Sequence, residues 1–175
     1  MAGEWTQTKV GEVAHRVTKG TTPTTIGGRF VDEGIAFIKV ESIDDAGRFE
    51  TAKFAYIDNA TNELLARSVL QENDILFTIA GTIGRVALVS PAILPANTNQ
   101  AVAIIRPNRA RIEPRYLYYV LNDEVRVRYA QTRVVQSVQA NFSLGELSDL
   151  EIPLPGKDEQ RAIAYILGTL DDNLS

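Results

Sequence analysis

Cysteine is absent from this 175-residue chain, and histidine occurs once, as His15. The first absence excludes a disulfide framework, a zinc finger and a thiol nucleophile. The second leaves any Ser-His-Asp triad or multi-histidine metal site resting on one residue. No apolar stretch approaches the roughly 20 residues that span a bilayer. The segment Met1-Ala-Gly-Glu-Trp5 lacks the basic and then apolar regions of a signal peptide. Together with the missing thiols, this fits a reducing cytoplasm. There is no phosphate loop of the Gly-x-x-x-x-Gly-Lys-Ser/Thr type and no Gly-x-Gly-x-x-Gly turn. Motifs for S-adenosylmethionine binding and base methylation are missing too. Asp44-Asp45 and Asp171-Asp172 are neighbours in sequence that point apart, so neither makes an acid–base dyad. This inventory disfavours a small hydrolase or lyase and implies no metal and no cofactor.

What is present is an ordinary globular composition, 45% apolar and 23% charged, in one domain's length of chain. The net charge of −4 runs against a uniformly basic polyanion binder, but the charge is unevenly spread. Residues 106–133 hold seven arginines against three acids, and residues 1–30 hold four bases against two. Residues 31–76 and 134–175 are acidic. A basic face on an acidic protein is therefore possible, alongside an ordinary mixed surface.

The apolar pattern predicts an α/β chain of short elements. Trp5 to Val17 reads as a strand followed by a helical turn, and Lys19 to Gly28 as a loop rich in Gly, Pro and hydroxyls. Residues 34–40, 74–79, 85–89 and 101–105 read as strands. Thr61 to Leu70 reads as a short helix with Leu64, Leu65 and Val69 inward. Pro114 opens a helix with Leu117, Leu121 and Val125 on one face. Ser143-Leu-Gly-Glu146 is a capping box, with Phe142 and Leu147 at the staple positions. Leu150-Glu-Ile-Pro-Leu-Pro155 reads as an edge strand. Asp158 to Leu174 is the strongest helix, with a stripe of Ile163, Ile166, Leu167, Leu170 and Leu174. Ile163 to Leu167 are expected to pack on the domain, leaving Leu170 and Leu174 freer.

The order of motifs resembles a known family. Lys9-Val-Gly-Glu-Val-Ala14, Gly20-Thr-Thr-Pro23, Gly34-Ile-Ala-Phe-Ile-Lys39, Asn73-Asp-Ile-Leu-Phe77, Gly81-Thr-Ile-Gly84 and Tyr116-Leu-Tyr-Tyr119 come first. Ile152-Pro-Leu-Pro155 and Asp158-Glu-Gln-Arg-Ala-Ile-Ala164 follow. This sequence is similar to the specificity (S) subunit of type I restriction–modification systems. The resemblance implies an α/β (α+β) fold with a curved, partly barrel-like mixed sheet and flanking helices. It implies a single target recognition domain over 1–155 and the start of a long spacer helix over 156–175. It further implies no chemistry of the chain's own. The implied role is reading one half of a bipartite double-stranded DNA target for methyltransferase (M) and restriction (R) subunits. Ile166, Leu170 and Leu174 become candidates for a partner helix face, including a weak homodimer. The alternative is an interaction remnant that engages a partner through this helix without binding DNA.

DNA reading asks for cations that hold phosphates and planar amides or guanidinium groups that read base edges. Lys19, Thr21, Thr22, Thr24 and Arg29 form a polar loop suited to a phosphate backbone. Arg85 follows the Gly81–Gly84 turn. Asn97, Asn99 and Gln100 form one amide-rich loop, and Arg133, Gln136, Gln139 and Asn141 a second. Amides in loops equally suit capping of their own backbone, so both roles stand open at this level.

Overall fold

A computed structural model describes residues 3–136 and 141–174; for Glu124, Val125, Arg126 and Gln136 it describes the backbone alone. The described chain runs β1 (Thr6–Lys9), α1 (Val10–Val13), β2 (Ala14–Lys19), β3 (Phe30–Val31), β4 (Ile35–Ile38), β5 (Ala55–Ile57) and α2 (Asn59–Leu64). It continues with β6 (Ile75–Thr78), β7 (Val86–Leu88), β8 (Ala96–Thr98), β9 (Val102–Pro107), α3 (Pro114–Leu121) and α4 (Glu124–Gln136). The last elements are α5 (Leu144–Asp149), β10 (Glu151–Leu154) and α6 (Lys157–Leu174).

Two four-stranded sheets carry the fold. One has the order β2-β9-β6-β7 and is antiparallel throughout. The other has the order β3-β5-β4-β8 and is mixed, because β4 and β8 run parallel. The pleat sends successive side chains to opposite faces, and β6 and β9 are buried on both. Ile75, Phe77, Ala103 and Ile105 pack with Tyr116, Leu117 and Leu147 of the helices and Ile152 of β10. Leu76, Val102 and Ile104 pack against Ala36 and Ile38 of the second sheet. That sheet's far face buries Ile35, Phe37 and Ile57 with Leu65. The expected α/β class with a mixed sheet is thus observed, with the β-structure divided among several sheets and not closed into a barrel.

The local signals at the C-terminal end behave as read. Ser143 Oγ accepts from the Glu146 N–H at 3.1 Å, and the Glu146 carboxylate accepts from the Ser143 N–H at 3.0 Å. Phe142 and Leu147 are fully buried beside this cap. Among the described residues, strand β10 pairs with β1 alone, in keeping with Pro153 in an edge strand.

Four expectations need correction. His15 and Arg16 lie in β2, a strand that its polar composition concealed. Helix α2 begins earlier, because Asp58 caps it by accepting from the Thr61 N–H at 2.8 Å. Its inward positions are Thr61 and Leu65, followed by Ser68 in a 3-10 turn, so Leu64 is exposed. The helix from Pro114 ends at Asn122, whose N–H bonds back to Tyr118 and Val120. Val125 therefore belongs to a separate helix. Asn and Asp compete for local backbone bonds and favour such breaks. Finally, α6 seats a small and polar face on α3, made of Gln160, Ala164 and Gly168. Gln160 Oε1 accepts from the Glu113 N–H at 2.8 Å, and Gln160 Nε2 donates to the Pro155 carbonyl at 2.9 Å. A Cβ on Gly168 would stand 3.0 Å from the Arg115 guanidinium carbon. The apolar stripe is consequently turned outward, with Ile166 58% and Leu170 53% exposed and Ile163 only half-buried.

Asn73-Asp74 also acquires a physical reason. Asn73 takes a left-handed turn with φ of 70° and drives the following carboxylate inward. Asp74 is 1% exposed and accepts two bonds from Arg106, Nε and Nη2 each at 2.8 Å. Breaking such a buried pair strands the remaining charge, whereas replacing both partners does not. Asp74→Leu alone should lower the unfolding free energy by about 3–5 kcal/mol. Asp74→Leu with Arg106→Met should cost clearly less than that single change. Urea denaturation of the single and double variants checks this.

Candidate nucleic-acid interface

Three separate segments meet at one end of the β2-β9-β6-β7 sheet. Lys19 closes β2 opposite Ala103, and Gly20 then turns the chain across the β8–β9 connection. The Gly20 N–H donates to the Asn99 carbonyl at 3.1 Å. A Cβ on Gly20 would lie 1.8 Å from the Thr98 carbonyl oxygen, so this approach is open to glycine alone. Thr22 Oγ1 donates to Gln100 Oε1 at 2.6 Å, which orients the Gln100 amide. From the other side, the Phe142 N–H donates to the Ile79 carbonyl at 2.9 Å, and the Phe142 ring packs on Phe77 at 6.0 Å. Between these segments lies a cleft of about 280 Å³, lined in part by Lys19, Ala80, Gln100, Asn141 and Ser143.

The structure sorts the remaining sequence candidates. Asn97 is fully buried in β8 rather than exposed in a loop. Its Oδ1 accepts from Ser68 Oγ at 2.7 Å and from the Thr98 N–H at 2.9 Å. Its Nδ2 donates to Asn62 Oδ1 at 2.8 Å and to the Leu65 carbonyl at 3.2 Å. Asn99 accepts from the Ala101 N–H at 3.0 Å and shapes the turn that presents Gln100. Arg29 is paired with Asp58 at 2.7 Å. Hydrogen bonds from Thr61 and from the Arg29 side chain hold the Asp58 carboxyl down at about 2, so this pair persists through neutral and mildly acidic pH. Arg85 is bound to Asp45 at 2.8 Å and to the Val40 carbonyl at 3.3 Å. Arg133 pairs with Glu146 at 3.2 Å. Thr24 is exposed beside the cleft loop. Gln139 lies outside the described residues, and Gln136 ends the backbone of α4.

The cleft thus gathers Lys19, Gln100 and Asn141, with Thr22 holding Gln100, while Asn97 is buried and Arg29, Arg85 and Arg133 are engaged with carboxylates. Sequence reasoning missed Arg67 and Arg16. Arg67 Nη2 donates to Thr21 Oγ1 at 3.4 Å, and Arg16 Nη1 donates to the Arg67 carbonyl at 3.2 Å. No motif flags either residue, since strand, loop and 3-10 turn meet only in three dimensions. Among the described residues, Arg16, Lys19 and Arg67 make no salt bridge. The different duties of the two asparagines are testable. Asn97→Ala strands several buried groups and should cost about 1–3 kcal/mol. Asn99→Ala removes one partly exposed turn bond and should cost under about 1 kcal/mol. Urea denaturation of the two variants checks the difference.

The chain is similar to known proteins in sequence and in fold. The chain is 30% identical over 164 residues to the type I restriction enzyme EcoBI specificity subunit of Escherichia coli, covering 91% of this chain and 33% of that protein. It is 32% identical over 147 residues to a protein named as the type I restriction enzyme MjaX specificity subunit of Methanocaldococcus jannaschii, covering 79% and 33%. The chain therefore spans about a third of the length of these relatives. Its fold matches the crystal structure of the HsdS subunit from Thermoanaerobacter tengcongensis with a TM-score of 0.72 at 20% identity, over 97% of this chain and 42% of that one. Residues 2–175 match one family along their whole length: the chain belongs to the type I restriction modification DNA specificity domain family.

Proposed function

We propose that this chain reads one half of a bipartite duplex DNA target and directs methyltransferase and restriction subunits to it. The observation that carries the reading is the cleft. It assembles a free cation, Lys19, and two exposed amides, Gln100 and Asn141, from three distant segments. A cation there holds a phosphate, and a side-chain amide offers both a donor and an acceptor to a base edge. Gln100 already has its Oε1 fixed by Thr22, so its amide nitrogen is aimed and unspent. In this reading residues 1–155 form the recognition unit and supply no chemistry of their own. Methyl transfer and cleavage fall to the other subunits.

Residues 156–175 act as the start of a spacer helix. The outward stripe of α6 supports this, because Ile166, Leu170 and Leu174 are exposed while the opposite face is spent on α3. That stripe is the surface proposed for a partner helix, from another subunit or a second copy. Among the described residues no helix is long and apolar enough to cross a membrane.

Enrichment of random duplexes on the purified chain, followed by fluorescence anisotropy, tests the reading. One short sequence should be enriched, with weak and salt-sensitive affinity. Gln100→Ala or Asn141→Ala should cost about 1–3 kcal/mol on that sequence and little on others. Lys19→Gln should weaken all duplexes alike. Retained specificity after both amide changes would remove the cleft from the reading.

A further inference from the structure

Among the described residues, Lys9, Arg29, Lys39, Arg48, Lys53, Arg85, Arg106, Arg133, Lys157 and Arg161 are tied to carboxylates. In a chain with 22 acids against 18 bases, such neutralisation is the default. Arg16 and Arg67 are among the described bases that depart from it. They come from β2 and from the turn after α2, and they converge with no carboxylate bound to either. Neither guanidinium has a counter-charge within the described residues, so an external anion can supply one.

The convergence is built rather than incidental. The 3-10 turn Ala66–Ser68 is fastened from below, where Ser68 Oγ bonds the buried Asn97 amide at 2.7 Å. It is fastened on its far side by the Leu70 N–H donating to the Ala96 carbonyl at 2.9 Å. Arg67 is left exposed at a fixed position, its guanidinium resting on the Thr21 hydroxyl. Arg16 reaches the same turn through the Arg67 carbonyl. Each guanidinium spends one donor on these contacts and keeps the rest of its fork free. Thr21 accepts from Arg67 and retains its own hydroxyl proton to donate.

We propose that Arg16, Arg67 and Thr21 form a binding site for a phosphodiester of the nucleic-acid backbone, on the rim of the Lys19–Gln100–Asn141 cleft. The proposal rests on the DNA reading above and adds to it where the backbone runs. Thr21 and Thr22 are adjacent, and Thr22 holds Gln100, so the phosphate site and the base-facing amide share one rigid loop. Binding an anion through a guanidinium fork carries no base information. Arg16 and Arg67 therefore set register and affinity while the amides set sequence.

The test is fluorescence anisotropy of the chain with labelled duplexes across a salt series, with thermal melts confirming that each variant folds. Arg67→Gln and Arg16→Gln should each reduce the slope of log affinity against log salt, by about 0.9 when combined, equally on preferred and scrambled duplexes. Arg67→Lys keeps the charge and should retain the slope. Arg161→Gln, at an exposed arginine already paired with Glu113 and Asp158, should leave slope and affinity unchanged. Wild-type slope in both Arg→Gln variants would overturn this inference and leave the DNA reading standing. Loss confined to the preferred duplex would also overturn it, by assigning these arginines to bases. A wild-type chain that binds no duplex would overturn the DNA reading and this inference together.

Discussion

The buried amide of Asn97 holds together the parts on which the candidate interface depends. It lies in β8, reaches down to Asn62 of α2 and the Leu65 carbonyl, and accepts from Ser68 in the turn that presents Arg67. Three residues further along the same chain stands Gln100, bonded to Thr22. A buried amide costs free energy unless all of its groups are paired. Here each finds a partner, so the network favours one arrangement of helix, turn and strand over any shifted one. Gly20 completes the constraint from the opposite side by admitting the β2 loop directly against the Thr98 carbonyl.

Electrostatics gives this rigid corner its character. The protein is acidic overall, and most of its cations are neutralised in pairs. Exposed pairs of this kind contribute little stability, but they remove charge from the surface. What remains at the corner is a local cluster of Arg16, Lys19 and Arg67. In the proposed reading, a small positive cluster on an acidic body attracts a polyanion at that place, which favours a single docking orientation. That is a useful property for a module that must register on a duplex.

Much of the fold was legible in the sequence wherever a single short-range signal sufficed. The Ser143–Glu146 box, the proline-bounded β10 and the apolar runs of β4, β6 and β9 all stand where local patterning placed them. The misreadings of inward helix faces share one cause. Thr61, Leu65 and Ser68 are inward positions, and so are Gln160, Ala164 and Gly168, but most of these residues are small or polar. A search for apolar periodicity finds Leu65 but passes over the polar and small partners, and on α6 it selects the exposed stripe. The candidate site was half legible for a related reason. Lys19, Gln100 and Asn141 were marked by residue type, whereas the burial of Asn97 and the meeting of Arg16 with Arg67 follow from tertiary packing alone.

The most direct measurement of the central claim is residue-resolved NMR of the chain titrated with duplex DNA. Amide shifts should concentrate in residues 19–22, 66–68, 99–100 and 141–144, with the outward face of α6 unchanged. Shifts confined to α6, or no shifts with any duplex, would contradict the account.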